Sequence, residues 1–232
     1  MYSWQVIVGL LDAQHGPVSS DPLPLGNKPG PYDELIYILL TVMTRSQPRI
    51  DRAYNGLVDL AGAIGWSGLL EADPRDLRRV LEPLGFVNRR SEQLLSTIEV
   101  VETVHGGSLD HLRELQANEA LAELTNLHGV GTKTAKCVMM YSLGFAVLPT
   151  DIHVLRVAKR LGVVPEESGW AAADQQLERE VPPVLKYDVH VQLVRHGRAV
   201  CKGPNPQCTK CSLQPGCPVG SLASRLRSHY AR

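Results

Sequence analysis

Apolar residues recur at three- and four-residue spacing along most of the chain, and that period limits the possible folds more than any other feature. Leu35, Ile36, Leu39, Leu40 and Met43 set the pattern over 32–45. The stretches 48–61, 74–83, 89–105, 117–127, 132–143, 151–161, 171–181 and 187–200 repeat it. Alternating β-branched and aromatic runs are missing, and aromatics are only 5% of the residues, so strands have little to build on. Pro and Gly punctuate the pattern at Asp73-Pro74, Pro83, Gly106-Gly107, Gly129, Gly131, Pro149, Pro165 and Pro182-Pro183. Helices of this length with short connections predict a compact all-α protein. A length of 232 residues suits one large domain or two small lobes. The Pro/Gly-rich stretch from His15 to Pro31 reads as a connector, and Ser221–Arg232 as a basic tail.

Lys and Arg number 24, and Asp and Glu number 24. A zero balance argues against a polyanionic partner only if the charge is evenly spread, and it is not. Segment 99–126 holds six acids (Glu99, Glu102, Asp110, Glu114, Glu119, Glu123) and one base, Arg113. Over 127–160 Lys133, Lys136, Arg156, Lys159 and Arg160 face Asp151 alone. Acids dominate again from Glu166 to Asp188, and Arg195–Arg232 carries seven bases and no acid. Such blocks either build a basic, phosphate-binding face or pair as acidic and basic helices inside the fold. No apolar run approaches the roughly 20 residues of a membrane span. The first basic residue is Lys28, so the charged start of a signal peptide is missing. Both observations predict a reducing, intracellular setting, where clustered cysteines hold metal rather than disulfides.

Cys201, Cys208, Cys211 and Cys217 read C-x6-C-x2-C-x5-C among Pro204, Pro206, Pro215 and Gly216. Four thiolates this close suit tetrahedral zinc or an iron–sulfur cluster. Zinc sites usually pair two C-x2-C knuckles. One tight pair with looser flanks favours [4Fe–4S]. Cys137 stands apart and reads as a core residue.

The run Leu124-Thr-Asn-Leu-His-Gly-Val-Gly-Thr-Lys-Thr-Ala135 predicts a helix, a sharp turn and a second helix. Gly129 and Gly131 permit backbone angles that other residues resist, and close approach of another chain. The opening amides of the second helix then point outward, where a phosphate fits. Lys133 falls in the first turn of that helix, and an unprotonated lysine amine there is a nucleophile able to form a Schiff base. Eighteen residues on, Asp151 opens another helix. It reads as an N-cap, and a capping carboxylate held in place also serves catalysis.

Together these motifs resemble endonuclease III, the iron–sulfur branch of the helix–hairpin–helix DNA glycosylases. The resemblance covers about 30–218. It rests on Leu127–Ala135, Thr150-Asp-Ile-His-Val-Leu-Arg-Val157, His196-Gly-Arg198 and the four cysteines, with Gly85-Phe-Val-Asn-Arg-Arg90 a looser match. It implies a two-lobed, all-α helix–hairpin–helix DNA glycosylase fold: a six-helix barrel at 33–147 beside a lobe of 1–32 plus 148–232 that carries a [4Fe–4S] cluster loop and a basic tail at 219–232. It implies double-stranded DNA with damaged bases or abasic sites as partner, no membrane, a single subunit, and a cytoplasmic or nucleoid location. Lys133 matches the Schiff-base lysine and Asp151 the catalytic aspartate of a bifunctional DNA glycosylase/AP lyase for oxidised pyrimidines. The alternatives are a monofunctional or mainly AP-lyase enzyme and a non-catalytic DNA-damage binder.

By the same resemblance, Leu127, His128, Gly129, Val130, Gly131, Thr132, Met43, Phe86, Arg90, His153, Arg198, Lys202 and Lys210 contact DNA, and Cys201, Cys208, Cys211 and Cys217 hold the cluster. The departures lie around DNA insertion. His128 stands for Pro, Met43 for Gln, Phe86 for the wedge Leu, Val87 for Tyr and Ser46 for Asp.

Overall fold

The structure, a computed structural model, describes residues 2–18, 28–44 and 46–221. Every regular element among the described residues is an α- or 3-10 helix. The α-helices are α1 Trp4–His15, α2 Pro31–Thr41, α3 Gln47–Ala61, α4 Pro74–Leu81, α5 Val87–His105, α6 Ala117–Thr125, α7 Thr132–Tyr141, α8 Ile152–Arg160, α9 Trp170–Glu180 and α10 Lys186–Ala199. None of them is long and apolar enough to cross a membrane. Most of the expected connector (19–27) and the expected tail (222–232) lie outside the described residues. The chain divides into two compact units, Asn27–Phe145 and Met1–Gly26 with Ala146–Arg232.

In Asn27–Phe145 two helices are apolar nearly all round, which places them at the centre rather than the edge. Leu35, Ile36, Tyr37, Ile38, Leu39 and Leu40 of α2 are buried, as are Ala135, Cys137, Val138, Met139, Met140 and Tyr141 of α7. The two helices pack on each other, and α3 and α5 pack on α2 while α6 packs on α7. Cys137 is a core residue, as its apolar surroundings in the sequence suggest. An aromatic ladder runs from Tyr37 through Tyr54 to Trp66, with ring centroids 5.3 and 5.7 Å apart. Short 3-10 segments at Trp66–Leu70 and Asp110–Glu114 complete the unit. The helical period missed both because they are shorter than two turns.

The other unit starts with α1, which the period also missed. Ser3 caps it, accepting from the Val6 amide at 3.4 Å. Its Ile7, Val8 and Leu11 join Val154 and Val157 of α8, Leu177 of α9, and Val189 and Leu193 of α10 in one core. Gly197 lets α10 press against α8: a Cβ there would lie 2.8 Å from the His153 Cβ.

One polar group stands out in the first unit's core. Glu34, on α2, is fully buried. Its Oε2 accepts from the Lys28 amide at 2.8 Å. Burial pushes its carboxyl up from 4.5 to about 7. A raised acid favours folding while protonated, so its contribution is complete below pH 4.5 and disappears as pH rises through about 7. Replacing Glu34 with Gln removes this dependence. Denaturant melts across that range should show the wild type falling behind Glu34→Gln by roughly 2–3 kcal/mol as pH rises.

Candidate functional site

The hairpin between α6 and α7 is built as the sequence suggests, with one difference. Leu127 and Val130 turn inward and are buried, while His128, Gly129, Gly131 and Thr132 face solvent. The Val130 amide donates to the Leu127 carbonyl at 3.0 Å, closing the turn. Gly129 has φ 73°, a left-handed conformation that suits glycine. Gly131 is different: its φ is −89°, which any residue adopts. Its value is space, because a Cβ there would meet nothing within 4 Å. As N-cap of α7 it also brings no side chain to bond the first amides. Those amides, which no helix can satisfy internally, are left for an outside acceptor. Helix α5 steadies the turn, with Gln93 Nε2 donating to the Gly129 carbonyl at 2.8 Å and Thr97 Oγ1 to the His128 carbonyl at 3.5 Å. Lys133 is partly exposed in the first turn of α7.

Beside the hairpin lies an open groove of about 450 Å³ lined by Val42, Met43, Phe86, Arg89, Arg90, Gln93, His128 and Gly129. It brings together three segments far apart in sequence. Met43 and Phe86 are apolar yet 78% and 64% exposed. Both also hold left-handed backbones, at φ 58° and 51°. Such angles cost roughly 1–2 kcal/mol in a residue with a side chain. Exposure and strain together mark built projections rather than surface accidents.

The structure corrects the expectation for Arg90. It is buried, and its guanidinium is engaged on every side. Nε donates to the Gly85 carbonyl at 2.9 Å. Nη1 faces the Leu39 and Leu40 carbonyls at 3.3 and 3.4 Å, and Nη2 the Val42 carbonyl and Thr44 Oγ1. The negative end of α2 and its orphan carbonyls therefore hold the cation. Arg90 has no donor left for a phosphate; it ties the Met43 turn to the Phe86 turn. Arg89, its neighbour, is the exposed arginine of the groove. The Arg-Arg pair was the available signal, and helical phase decides which member turns out.

Asp151 belongs to the other unit. It caps α8 through Oδ1, which accepts from the His153 and Val154 amides at 2.8 and 2.7 Å. Residues that the sequence reading missed hold the segment before it. Buried His190 donates from Nδ1 to the Pro149 carbonyl at 2.7 Å, and Glu178 accepts from the Leu148 amide at 3.0 Å while pairing with Lys186. His153 is half-buried, and its Nδ1 accepts from Arg156 at 3.0 Å, which leaves Nε2 as its donor. Burial pushes its pKa down, opposed by Asp151.

Cys201, Cys208, Cys211 and Cys217 line one small cavity with Arg160, Val200 and Gln214. Among the described residues, His105, His111 and Glu123 form the one set of three donors that lie within 4.8 Å of one another. Burial, with the other three sulfurs adding to it, pushes the Cys211 thiol up to about 11, so four thiolates there call for a cationic centre. Arg160 donates to Cys201 Sγ at 3.3 Å and to the Lys202 and Gly203 carbonyls at 2.7 Å. Gln14 of α1 clamps the far side through the Lys210 carbonyl and the Ser212 amide. Arg198, Lys202 and Lys210 point their charge to solvent.

A family model for the HhH-GPD superfamily of base excision DNA repair proteins matches residues 42–183. The chain belongs to that superfamily. Escherichia coli endonuclease III is 26% identical over 191 residues, 82% of this chain and 85% of its own length. An Arabidopsis thaliana protein described as a DNA glycosylase is 28% identical over 193 residues, 83% of this chain, and this chain spans only 62% of that relative's length. A solved structure of a trapped endonuclease III–DNA covalent intermediate shares the fold, with TM-score 0.80, 22% identity and coverage of 97% of this chain and 100% of that one. A thermostable thymine-DNA glycosylase does so with TM-score 0.78 at 21% identity, covering 94% and 97%. The chain is thus an endonuclease III-like HhH-GPD protein.

The Arg90 strut has a direct test. Arg90→Met leaves several carbonyls without donors, at a cost of about 1–3 kcal/mol each where they stay buried. Arg90→Lys restores the charge but only three of the five donors. Hydrogen exchange should speed up in both variants at the turns around Met43 and Phe86, with α8–α10 unchanged.

Proposed function

We propose that this HhH-GPD protein is a bifunctional DNA glycosylase/AP lyase of base excision repair, with oxidised pyrimidines as its substrate class. The observation that carries the reading is the order of parts: an uncapped hairpin, a lysine in the next helical turn, and a braced capping aspartate eighteen residues on. A phosphate of the duplex seats on the bare amides at Gly131–Lys133, with Leu127 and Val130 anchoring the turn from inside. Met43 and Phe86 enter the stack where a nucleotide has been flipped out, and Arg89 meets the backbone beside them. Both wedges are apolar, so they fill the gap without reading the orphaned partner base by hydrogen bonds.

In the chemistry, the neutral Lys133 Nζ attacks the sugar C1′, and the C1′–base bond breaks with the electron pair leaving on the base. The C1′–O4′ bond of the resulting aminal then opens, O4′ taking a proton, and the imine so formed acidifies C2′. Loss of a C2′ proton then expels the 3′-phosphate oxygen and cuts the strand. The Asp151 carboxylate accepts the amine proton and offsets the positive charge that develops on the sugar. Two backbone amides hold that carboxylate in one rotamer.

Cys201, Cys208, Cys211 and Cys217 would hold a [4Fe–4S] cluster, which when bound supplies the positive charge that the thiolates need. The fit rests on the one cavity that all four line. The protein's part is to present Arg198, Lys202 and Lys210 to phosphates from a folded loop. A purified sample should be yellow-brown and absorb near ~400 nm. A colourless sample with four-cysteine zinc would reject the cluster.

The reaction is tested with duplexes bearing thymine glycol or an abasic site. Wild type should nick both. Lys133→Gln should nick neither, and Asp151→Asn should slow base release by about 10²–10⁴. Base release without nicking by the wild type would assign a monofunctional enzyme, and nicking of the abasic duplex alone would assign an AP lyase.

A further inference from the structure

We propose a zinc site at His105, His111 and Glu123, a set that shares no residue with the hairpin, Lys133, Asp151 or the cysteines. His105 is the last residue of α5, His111 lies in the 3-10 segment Asp110–Glu114, and Glu123 is on α6. Gly106 and Gly107 both hold left-handed backbones, at φ 62° and 77°. They fold the chain back so that the two imidazoles stack, 5.1 Å between centroids and 12° between planes. Both rings aim a nitrogen at the same carboxylate oxygen. His105 Nδ1 lies 3.3 Å and His111 Nε2 2.5 Å from Glu123 Oε1. All three donor atoms fall within 4.8 Å of one another.

Two imidazoles and a carboxylate are a donor set that zinc takes, at about 2.0–2.2 Å from each, which needs donor separations near 3.4 Å. Two of the present separations, 3.3 and 2.5 Å, lie at or below that value and the third is within 4.8 Å, so small side-chain rotations close the site. His111 and Glu123 are 42% and 32% exposed at their side chains, which leaves an entry path and room for a water as fourth ligand. Charge points the same way. The segment 99–126 carries six acids against one base, so its surface field attracts a cation and disfavours a phosphate. The ion would brace α5 to α6, the pair whose other contacts steady the hairpin through Gln93, Thr97 and the end of α6.

The test uses the full chain as purified, with its cysteine-bound group in place. Protein dialysed against zinc chloride should hold one zinc per chain that His111→Ala and Glu123→Gln both lose, with iron content unchanged. At a hundred-fold excess over Kd, zinc should raise the wild-type melting temperature by roughly 5–10 °C and leave both variants unmoved. Glu123→Gln keeps the side-chain volume, so it decides the matter if His111→Ala lowers the starting stability. Equal zinc content and equal thermal response in wild type and Glu123→Gln would overturn the site, as would a wild type that takes up no zinc there. Neither outcome touches nicking by Lys133.

Discussion

The guanidinium of Arg90 is buried against carbonyls rather than a carboxylate, and the groove beside the hairpin depends on that choice. The end of α2 leaves carbonyls that no further turn can satisfy. The turn before α5 must run left-handed at Gly85 and Phe86 to start the helix where it does. A single planar group with five donors meets both needs at once. Because it spans the two turns, it fixes Met43 and Phe86 relative to each other, and it holds two unfavourable backbone conformations in place. Projection of two apolar side chains into water is then a consequence of buried hydrogen bonding.

The same division between outward and inward charge runs through the chain. The basic block over 127–160 suggests a phosphate-binding face, yet much of its charge is used inside the fold. Lys136 is buried, Arg156 binds the Cys201 and Gly197 carbonyls, Arg160 braces the cysteine loop, and Lys159 donates to the Glu166 carbonyl. Arg156, Lys159 and Arg160 thus bond to backbone carbonyls rather than to acidic helices. Around the hairpin, the groove and the cysteine loop, Arg89, Arg198, Lys202 and Lys210 face solvent, and Lys133 does so in part. Contact through those side chains alone neutralises a limited number of phosphates, so the salt dependence should be smaller than that of a strongly basic protein.

The helical fold was legible because its signal is repeated and local. α2 and α7 announced themselves by being apolar all round, and Asp151 by standing before a periodic run. The family was legible because several sparse motifs fell in one order. What sequence could not supply was direction. Arg89 and Arg90 are adjacent and alike, and only the phase of α5 against α2 makes one a strut and the other a surface charge. Gly129 and Gly131 look equivalent, but the chain's own structure calls for glycine only at Gly129, while a Cβ at Gly131 would point into open space. His190, Glu178 and Gln14 act across 30 residues or more, through hydrogen bonds that leave no local pattern. His105 and His111 are close in sequence, but the left-handed turn at Gly106 and Gly107 that stacks them leaves no trace in the apolar period.

The central claim is that Lys133 supplies the covalent bond to DNA, and the most direct measurement is to find that bond. Wild-type protein incubated with an abasic duplex is reduced with borohydride, digested, and the DNA-bearing peptide is sequenced by mass spectrometry. The account predicts one adduct, on the Nζ of Lys133. An adduct on another lysine or on the amino terminus, or no adduct at all, would contradict it.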